Sequence, residues 1–202
     1  MNSTQTTGLN WDAGLPILRN TQLRERNSLG FAATAELSCV IRSAEQIPPL
    51  MSAVLSAGIP WRVLGGGSNV VLPAHLPGMT LLMEIGGQAI ISNDQAATHI
   101  RVGAGVNWHE LVAWSLSQGL PGLENLALIP GTTGAAPIQN IGAYGVEVSD
   151  LLQSITAFDC NAQAFIEISP DACQFAYRDS IFKRHPQPVS YTHLTLPTKR
   201  IV

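Results

Sequence analysis

The chain has 202 residues, a length that suits one domain or two small ones sharing a core. Hydrophobic residues make up 46% of it, which excludes disorder as the overall state, while charged residues make up only 12%. The net charge of −3 and the lack of any Lys/Arg run argue against a nucleic-acid or anionic-membrane surface. We therefore expect a folded cytoplasmic protein that binds neither nucleic acid nor membrane.

The cysteine and histidine patterns favour neither disulfide nor metal chemistry. Cys39, Cys160 and Cys173 are widely spaced and form no C-x-x-C pair, which predicts three reduced and mostly buried thiols. The five histidines are scattered singly, so we predict no metal site. The polar N-terminus has no secretory signal pattern, and no apolar run approaches the ~20 residues of a membrane span.

The first half of the chain predicts short strands around one helix. Residues 1–18 are polar and predict a flexible leader, and residues 19–91 form the first predicted lobe. Ser43 and Gln46 have the spacing of a capping box, which predicts a helix that ends before Gly58. The predicted strands of this lobe are residues 37–41, 61–64, 70–72 and 79–85.

Residues 92–188 form the second predicted lobe. Asn107, with Glu110 three residues later, predicts the N-terminus of a helix over 108–118. Its predicted buried face is Leu111, Val112, Ser115 and Leu116. Further strands are predicted at residues 99–102, 152–159 and 165–168. Residues 120–145 hold five glycines and three prolines with almost no charge, so we interpret them as a ligand-lining loop. The predicted fold class is α+β, with a cleft between two mixed lobes.

The C-terminal segment, residues 189–202, has no amphipathic pattern. It is similar to a peptide that arises when sequencing-adaptor DNA is read as coding sequence. A genuine terminal strand is the alternative. We favour a non-native tail on a C-terminally truncated chain and leave this segment out of the predicted fold.

A glycine run with two polar neighbours, GGGSN, occupies residues 65–69 between two predicted strands. Backbone N–H groups can converge on an anion there because no Cβ interferes, and Ser68 and Asn69 add side-chain donors. The run is not a Walker A loop, and a plain tight turn is the alternative. Residues 103–108 begin like a dinucleotide fingerprint, but Trp108 stands at its third glycine position, so a strand-to-helix turn is the better interpretation.

Basic residues are scarce in the body of the chain. Between residues 43 and 177 only Arg62 and Arg101 are basic, so backbone amides and hydroxyls would have to hold any pyrophosphate. The polar side chains suited to a planar heterocycle are Asn125, Gln139, Asn140 and Tyr144. From spacing alone, Arg178 predicts a surface pair with Asp179 or a bond to a carbonyl group.

Five motifs occur in an order that resembles the UDP-N-acetylenolpyruvoylglucosamine reductase (MurB) family. They are LGGGSNV (64–70), PGLENL (121–126), IPGTTG (129–134), PIQNIGAYG (137–145) and YRDSIFK (177–183). The resemblance extends from about residue 19 to residue 183. The YRDSIFK form resembles the branch of the family with an extra tyrosine loop over the substrate.

This resemblance implies a two-lobed FAD-binding domain of the vanillyl-alcohol-oxidase (PCMH) type with non-covalent FAD. It implies reduction of UDP-N-acetylglucosamine enolpyruvate to UDP-N-acetylmuramate with NADPH in peptidoglycan synthesis, by a protein that is a monomer when full length. Arg178 is implied as catalytic, and Tyr177 and Arg178 as substrate-binding. The implied FAD-binding residues are Gly65, Gly66, Gly67, Ser68, Asn69, Asn125, Pro130, Gly131, Thr132, Thr133, Gly134, Gln139, Asn140, Ile141, Gly142 and Gly145.

The chain also departs from the family pattern. Family members carry a later substrate domain with a proton-donating serine and a glutamate, and neither has a counterpart here. We therefore expect this chain to be an incomplete and inactive portion of the reductase. Two alternatives remain: a non-catalytic flavin-binding module and, less favoured, an FAD-dependent alcohol oxidase of the same fold.

Overall fold

Two main sheets, one two-stranded hairpin and three α-helices make up the regular structure of the described residues, 15–93, 97–185 and 189–199, in a computed structural model. The elements are β1 (Ile17–Gln22), β2 (Thr34–Ile41), α1 (Ile47–Ser56), β3 (Trp61–Leu64), β4 (His75–Met83), β5 (Gln88–Asn93), β6 (Ala97–Gly103), α2 (Trp108–Ser117), β7 (Gly142–Ala143), β8 (Val146–Glu147), β9 (Ser154–Asp159), β10 (Ala164–Ile168), α3 (Ile181–Arg184) and β11 (Val189–Lys199). None of the helices in these ranges is long and apolar enough to cross a membrane.

The first sheet has the order β1-β2-β4-β3. Strand β4 pairs in parallel with both β2 and β3, and β1 closes the sheet antiparallel to β2. The apolar positions of α1 follow a helical period and pack on β2 and β4. They are Ile47, Leu50, Met51 and Val54, all essentially unexposed. This packing fixes the end of β3, from which the glycine run emerges.

The predicted capping box is confirmed, although it begins a 3₁₀ turn, Ala44–Gln46, that leads into α1. The Ser43 backbone N–H donates to Gln46 Oε1 at 3.0 Å, just before the helix begins. Pro48 and Pro49 fall in its first turn, where a missing N–H costs nothing. Gly58 follows the helix with φ +61°, the left-handed conformation that commonly ends helices.

The second sheet is antiparallel and has the order β10-β9-β11-β6-β5. Helix α2 packs against it, and Asn107 Oδ1 accepts from the Glu110 backbone N–H at 3.1 Å, as predicted for the cap. The predicted buried face needs one correction. Leu116 is 47% exposed, and Trp108 is buried in its place, where its Nε1–H donates to the Leu126 carbonyl at 2.9 Å.

Three sequence expectations about the first lobe are wrong. Residues 70–72 form no strand, because Val71 projects into solvent and the segment pairs with no neighbour in the described ranges. Residues 17–18 belong to β1 rather than to the leader, since they pair with Cys39 and Ser38. The lobe boundary also lies earlier than residue 91, because β5 joins the second sheet through β6. Residues 1–14 of the predicted leader lie outside the described residues.

Residues 189–199 of the C-terminal segment form the central strand of the second sheet, and residues 200–202 lie outside the described residues. Strand β11 pairs antiparallel with both β6 and β9, and Leu196 is fully buried in the core. This arrangement corresponds to the alternative that the sequence leaves open, a terminal strand, and it corrects the exclusion of the segment from the fold. The non-native origin of residues 189–202 stays a prediction.

The three cysteines are free and buried, as expected. Burial raises the pKa of the Cys173 thiol to about 11, and burial together with Asp159 does the same for Cys160. Thiols with such pKa values are almost wholly protonated at neutral pH, so their role is packing.

Candidate functional site

A cleft of about 220 Å³ lies where the loop after β3 faces the long glycine-rich segment of the second lobe. Residues 63–70 line one side. The other side comprises Trp108, Pro130, Gly131, Thr132, Ala135, Ala136, Ile138, Gln139 and Ile141, and Lys183 adds to the rim. The cleft is therefore built mainly from backbone and apolar groups.

Glycine is required in the 65–69 loop because the two sides of the cleft approach closely. A Cβ on Gly65 would lie 2.5 Å from Thr132 Oγ1, and one on Gly66 would lie 3.4 Å from the Gly131 Cα. Gly67 has φ +61°, and a Cβ there would overlap the Arg26 carbonyl oxygen. The absence of side chains leaves the loop backbone facing the cleft.

Two polar side chains of this loop reach across to the opposite side. Ser68 Oγ donates to the Pro130 carbonyl at 3.3 Å, and Asn69 Nδ2 donates to Gln139 Oε1 at 2.8 Å. Neither bond uses a backbone N–H of the loop. The loop amides are therefore the groups best placed to meet an anion, while Ser68 and Asn69 connect the two lobes.

The opposite side is held from behind by a 3₁₀ helix, Thr133–Gln139. Thr133 is fully buried, and its Oγ1 donates to the Val106 carbonyl at 3.0 Å. The Gly134 N–H donates to the Ala104 carbonyl at 2.9 Å, and a Cβ on Gly134 would press on Ala104. Both residues thus attach the cleft to the strand-to-helix turn before α2.

Asn140 is fully buried behind the cleft, with φ +47°. Its Nδ2 donates to Glu147 Oε2 at 2.6 Å and to the Ala176 carbonyl at 3.1 Å. Its Oδ1 accepts from the Ser149 N–H at 3.1 Å. These bonds join three separate segments, so the side chain acts here as a structural connector.

Tyr177 and Arg178 occupy the tip of a tight turn. Ala176 and Asp179 exchange two backbone hydrogen bonds of 3.0 Å across it, and Arg178 has φ +53°. Tyr177 is 82% exposed, with the Arg178 guanidinium carbon 5.6 Å from its ring centroid. Arg178 Nη2 donates to the Gly142 carbonyl at 2.5 Å. Of the two bonding modes left open by spacing, the carbonyl bond is confirmed.

The predicted surface pair between Arg178 and Asp179 is wrong, because Asp179 forms its ion pair with Arg184 instead. Arg184 Nη2 also donates to the Gln174 carbonyl at 3.0 Å. Neighbouring residues in the chain point in different directions across a tight turn, whereas Arg184 lies one turn of α3 further on. Arg184 therefore clamps both ends of the segment that carries Tyr177 and Arg178.

Most predicted cofactor residues line the cleft: Gly65, Gly66, Gly67, Ser68, Asn69, Pro130, Gly131, Thr132, Gln139 and Ile141. The others lie outside its lining: Asn125, Thr133, Gly134, Asn140, Gly142 and Gly145. Tyr144 is 90% exposed at the β7–β8 hairpin. Lys183 lines the cleft without having been singled out, although its position closing the YRDSIFK motif was a usable signal. The individual roles of all these residues stay predictions.

Two α+β lobes around a glycine-lined cleft define a nucleotide-binding domain of the class found in flavoproteins. Residues 36–165 match the family described as FAD binding domain, and the chain belongs to that family. FAD is accordingly its cofactor, and the predicted fold class is confirmed.

Sequence relatives confirm the resemblance drawn from the five motifs. A UDP-N-acetylenolpyruvoylglucosamine reductase of Polynucleobacter asymbioticus is 59% identical over 170 residues, which cover 84% of this chain and 49% of that protein. One from Paraburkholderia xenovorans is 45% identical over 181 residues, covering 90% of this chain and 51% of the relative. The chain thus spans about half the length of the curated relatives it matches.

Solved structures agree on the fold. The reductase (MurB) from Thermus caldophilus superimposes with a TM-score of 0.70 at 27% identity, covering 93% of this chain and 64% of that one. The 6-hydroxy-D-nicotine oxidase of Arthrobacter nicotinovorans gives a TM-score of 0.67 at 19% identity, covering 97% of this chain and 44% of the oxidase. The second similarity shows a shared fold alone.

The groups that line the cleft fit a part of FAD. The glycine run is a cradle that a Cβ would fill, next to the loop amides and one cation, Lys183. Such groups suit a pyrophosphate, and the apolar lining suits a flat ring system. The volume is below the ~300–1,000 Å³ of a site that encloses a drug-sized ligand. This part of the chain would hold a portion of FAD and leave the rest open.

Proposed function

We propose that this chain is the FAD-binding portion of an NADPH-dependent reductase that converts UDP-N-acetylglucosamine enolpyruvate to UDP-N-acetylmuramate. The observation that carries the proposal is the placement of the Tyr177–Arg178 turn beside a cleft that fits FAD. The turn bonds to Gly142, which closely follows the cleft residues Gln139 and Ile141. The identity of 59% to a named reductase supports it.

Each part of the site would have a task in that reaction. The amides of residues 65–69 would bind the pyrophosphate of FAD, as donors that need no side chain. When bound, FAD supplies the hydride-carrier chemistry that links NADPH to the enolpyruvyl carbon. Arg178 would stabilise the negative charge that develops on the substrate when that carbon is reduced. Tyr177, largely exposed, would contact the same substrate.

The wider setting follows from the same proposal. UDP-N-acetylmuramate is a precursor of peptidoglycan, so the reductase would act in cell-wall synthesis in the cytoplasm. The complete protein would be a monomer. The family resemblance implies a serine proton donor and a late glutamate that match no residue of this chain, so we propose no residue of this chain as the proton donor.

The test measures FAD binding and turnover separately. The purified chain and the complete gene product are titrated with FAD, and NADPH oxidation is followed with and without the enolpyruvyl UDP-sugar. In the complete protein we expect substrate-dependent oxidation, which Arg178→Ala lowers about 100-fold without changing FAD affinity. The matched control is Arg42→Ala, which lies outside the lining of the cleft and has a side chain 69% exposed, and which should leave turnover unchanged.

Three outcomes separate the candidates. Failure of the complete protein to reduce the UDP-sugar would contradict the proposal. Stoichiometric FAD with no turnover in either protein would favour the non-catalytic flavin-binding module. Rapid oxygen consumption with vanillyl alcohol would instead favour the oxidase alternative.

A further inference from the structure

Lys183 lies between the cleft and the turn that carries Arg178. It belongs to the lining of the cleft, and its Nζ donates to the Arg178 carbonyl at 2.8 Å. The helix that carries Lys183 begins after Ser180, whose Oγ donates to the Ile138 carbonyl, another cleft residue, at 2.6 Å. One side chain thus contacts both halves of the proposed site.

The charge of Lys183 is uncompensated in the described part of the chain. Among the described residues that line the cleft, Lys183 is the only ionisable one. The neighbouring carboxylate, Asp179, pairs with Arg184 instead. An ammonium group has three donors, and the Arg178 carbonyl takes one of them. Two donors and a full positive charge therefore remain for an anionic ligand in the cleft.

The backbone at Arg178 needs such support. Its φ of +53° is a left-handed conformation, which is unfavourable for a residue with a Cβ. A hydrogen bond to the Arg178 carbonyl opposes rotation of the peptide that follows it. Whatever fixes the position of the Lys183 ammonium therefore also fixes the backbone of Arg178.

We propose that Lys183 is a positioning residue that couples cofactor binding to the Arg178 turn. Its ammonium binds the phosphate oxygens of FAD in the cleft and at the same time holds the Arg178 carbonyl. Binding of the cofactor then orders the turn that presents Tyr177 and Arg178. The inference rests on the proposed function of the cleft as an FAD site.

The first experiment measures how much the positive charge of Lys183 contributes to the affinity for FAD. The full chain and its Lys183→Met, Lys183→Arg and Arg42→Met variants are titrated with FAD, with flavin fluorescence as the readout, at about 20 and about 200 mM salt. We expect Lys183→Met to weaken binding about 10-fold at low salt and less at high salt, because screening already weakens the lost interaction. Lys183→Arg should bind within about 3-fold of the parent. Arg42→Met removes the same charge away from the cleft and should match the parent.

The second experiment measures the coupling through tyrosine resonances. The chain has three tyrosines, so ¹³C-tyrosine labelling gives few signals, and Tyr177→Phe identifies that of Tyr177. Saturating FAD should shift and sharpen the Tyr177 signal in the parent and in Lys183→Arg. In Lys183→Met, saturated with FAD, the signal should keep the width of the free protein.

The outcomes distinguish this inference from the proposed function. No FAD binding by the parent chain would overturn both. FAD binding by the parent with equal affinity in Lys183→Met and Arg42→Met would overturn the Lys183 inference alone. An identical Tyr177 response in parent and Lys183→Met would overturn the coupling while leaving the FAD site intact.

Discussion

The loop at residues 65–69 and the turn around Arg178 lie near the same cleft but are held in place by opposite means. The loop is positioned by close backbone approach, since Cβ atoms on Gly65 and Gly67 would collide with Thr132 and Arg26. The turn is positioned by side chains, because Asn140, Lys183 and Arg184 each bond to the backbone or carboxylate of residues 174–179.

The difference indicates which perturbations each region should resist. Steric fit depends on shape and is insensitive to salt, whereas hydrogen bonds to charged groups weaken as salt rises. Substitutions in the two regions should therefore differ in size and in salt dependence.

The largest effect is expected from Gly67→Ala in the loop. The added methyl group would overlap the Arg26 carbonyl and stand at φ +61°, so we expect a loss of about 3–4 kcal/mol in the free energy of unfolding. Gly58→Ala is the matched control, because Gly58 has the same φ but nothing within 4 Å of its added Cβ. It should cost about 1 kcal/mol. Urea unfolding measures both, and equal losses would show that close approach does not hold the loop.

An intermediate effect is expected from Asn140→Ala behind the turn. It removes three hydrogen bonds at a fully buried position, so we expect a loss of about 2–3 kcal/mol in unfolding free energy. Asn140→Gly removes the same bonds without the cost of a Cβ at φ +47° and should recover part of the loss. Asn161→Ala, at an exposed site, should change stability by less than about 0.5 kcal/mol. A loss for Asn140→Ala no larger than for Asn161→Ala would contradict the connector role.

The smallest effect is expected from Arg184→Gln at the turn itself. The pair with Asp179 is about one-third exposed, so its removal should cost only about 0.5–1 kcal/mol, and the difference from the parent should shrink in high salt. Unfolding measured at low and high salt checks this. The loss from Gly67→Ala should be the same at both salt concentrations. A salt-independent loss for Arg184→Gln would remove the proposed distinction between the two regions.

Helix starts and several buried strands could be predicted because their signals are local. The capping box at Ser43 and Gln46 and the cap at Asn107 each act within four residues, and both lie where the sequence places them. Strand β5 and the position of β11 were missed for the opposite reason. β5 is exposed along its length and lacks an apolar pattern, and β11 pairs with strands that are distant in the chain.

The candidate site was predictable in its backbone and less so in its side chains. The glycine run lines the cleft as expected, because glycine at close approach is a requirement visible in the sequence. Asn140 looked equally suited to a ligand, yet its polar atoms bond to segments up to 36 residues away. Lys183 was not predicted to bind a ligand, yet it lines the cleft. Its position there depends on how α3 packs against the 3₁₀ helix, which the sequence does not show.

The sequence alone determined the two-lobed α+β class, the helix starts, the sparse charge and the glycine-lined loop. Each of these depends on backbone conformation or composition over a few residues. Only the tertiary structure decided that Asp179 pairs with Arg184, that Asn140 turns away from the cleft and that Lys183 faces it. Such choices depend on contacts across long chain separations, as between Asn69 and Gln139, 70 residues apart. Packing of the two lobes creates those contacts, and no local pattern encodes them.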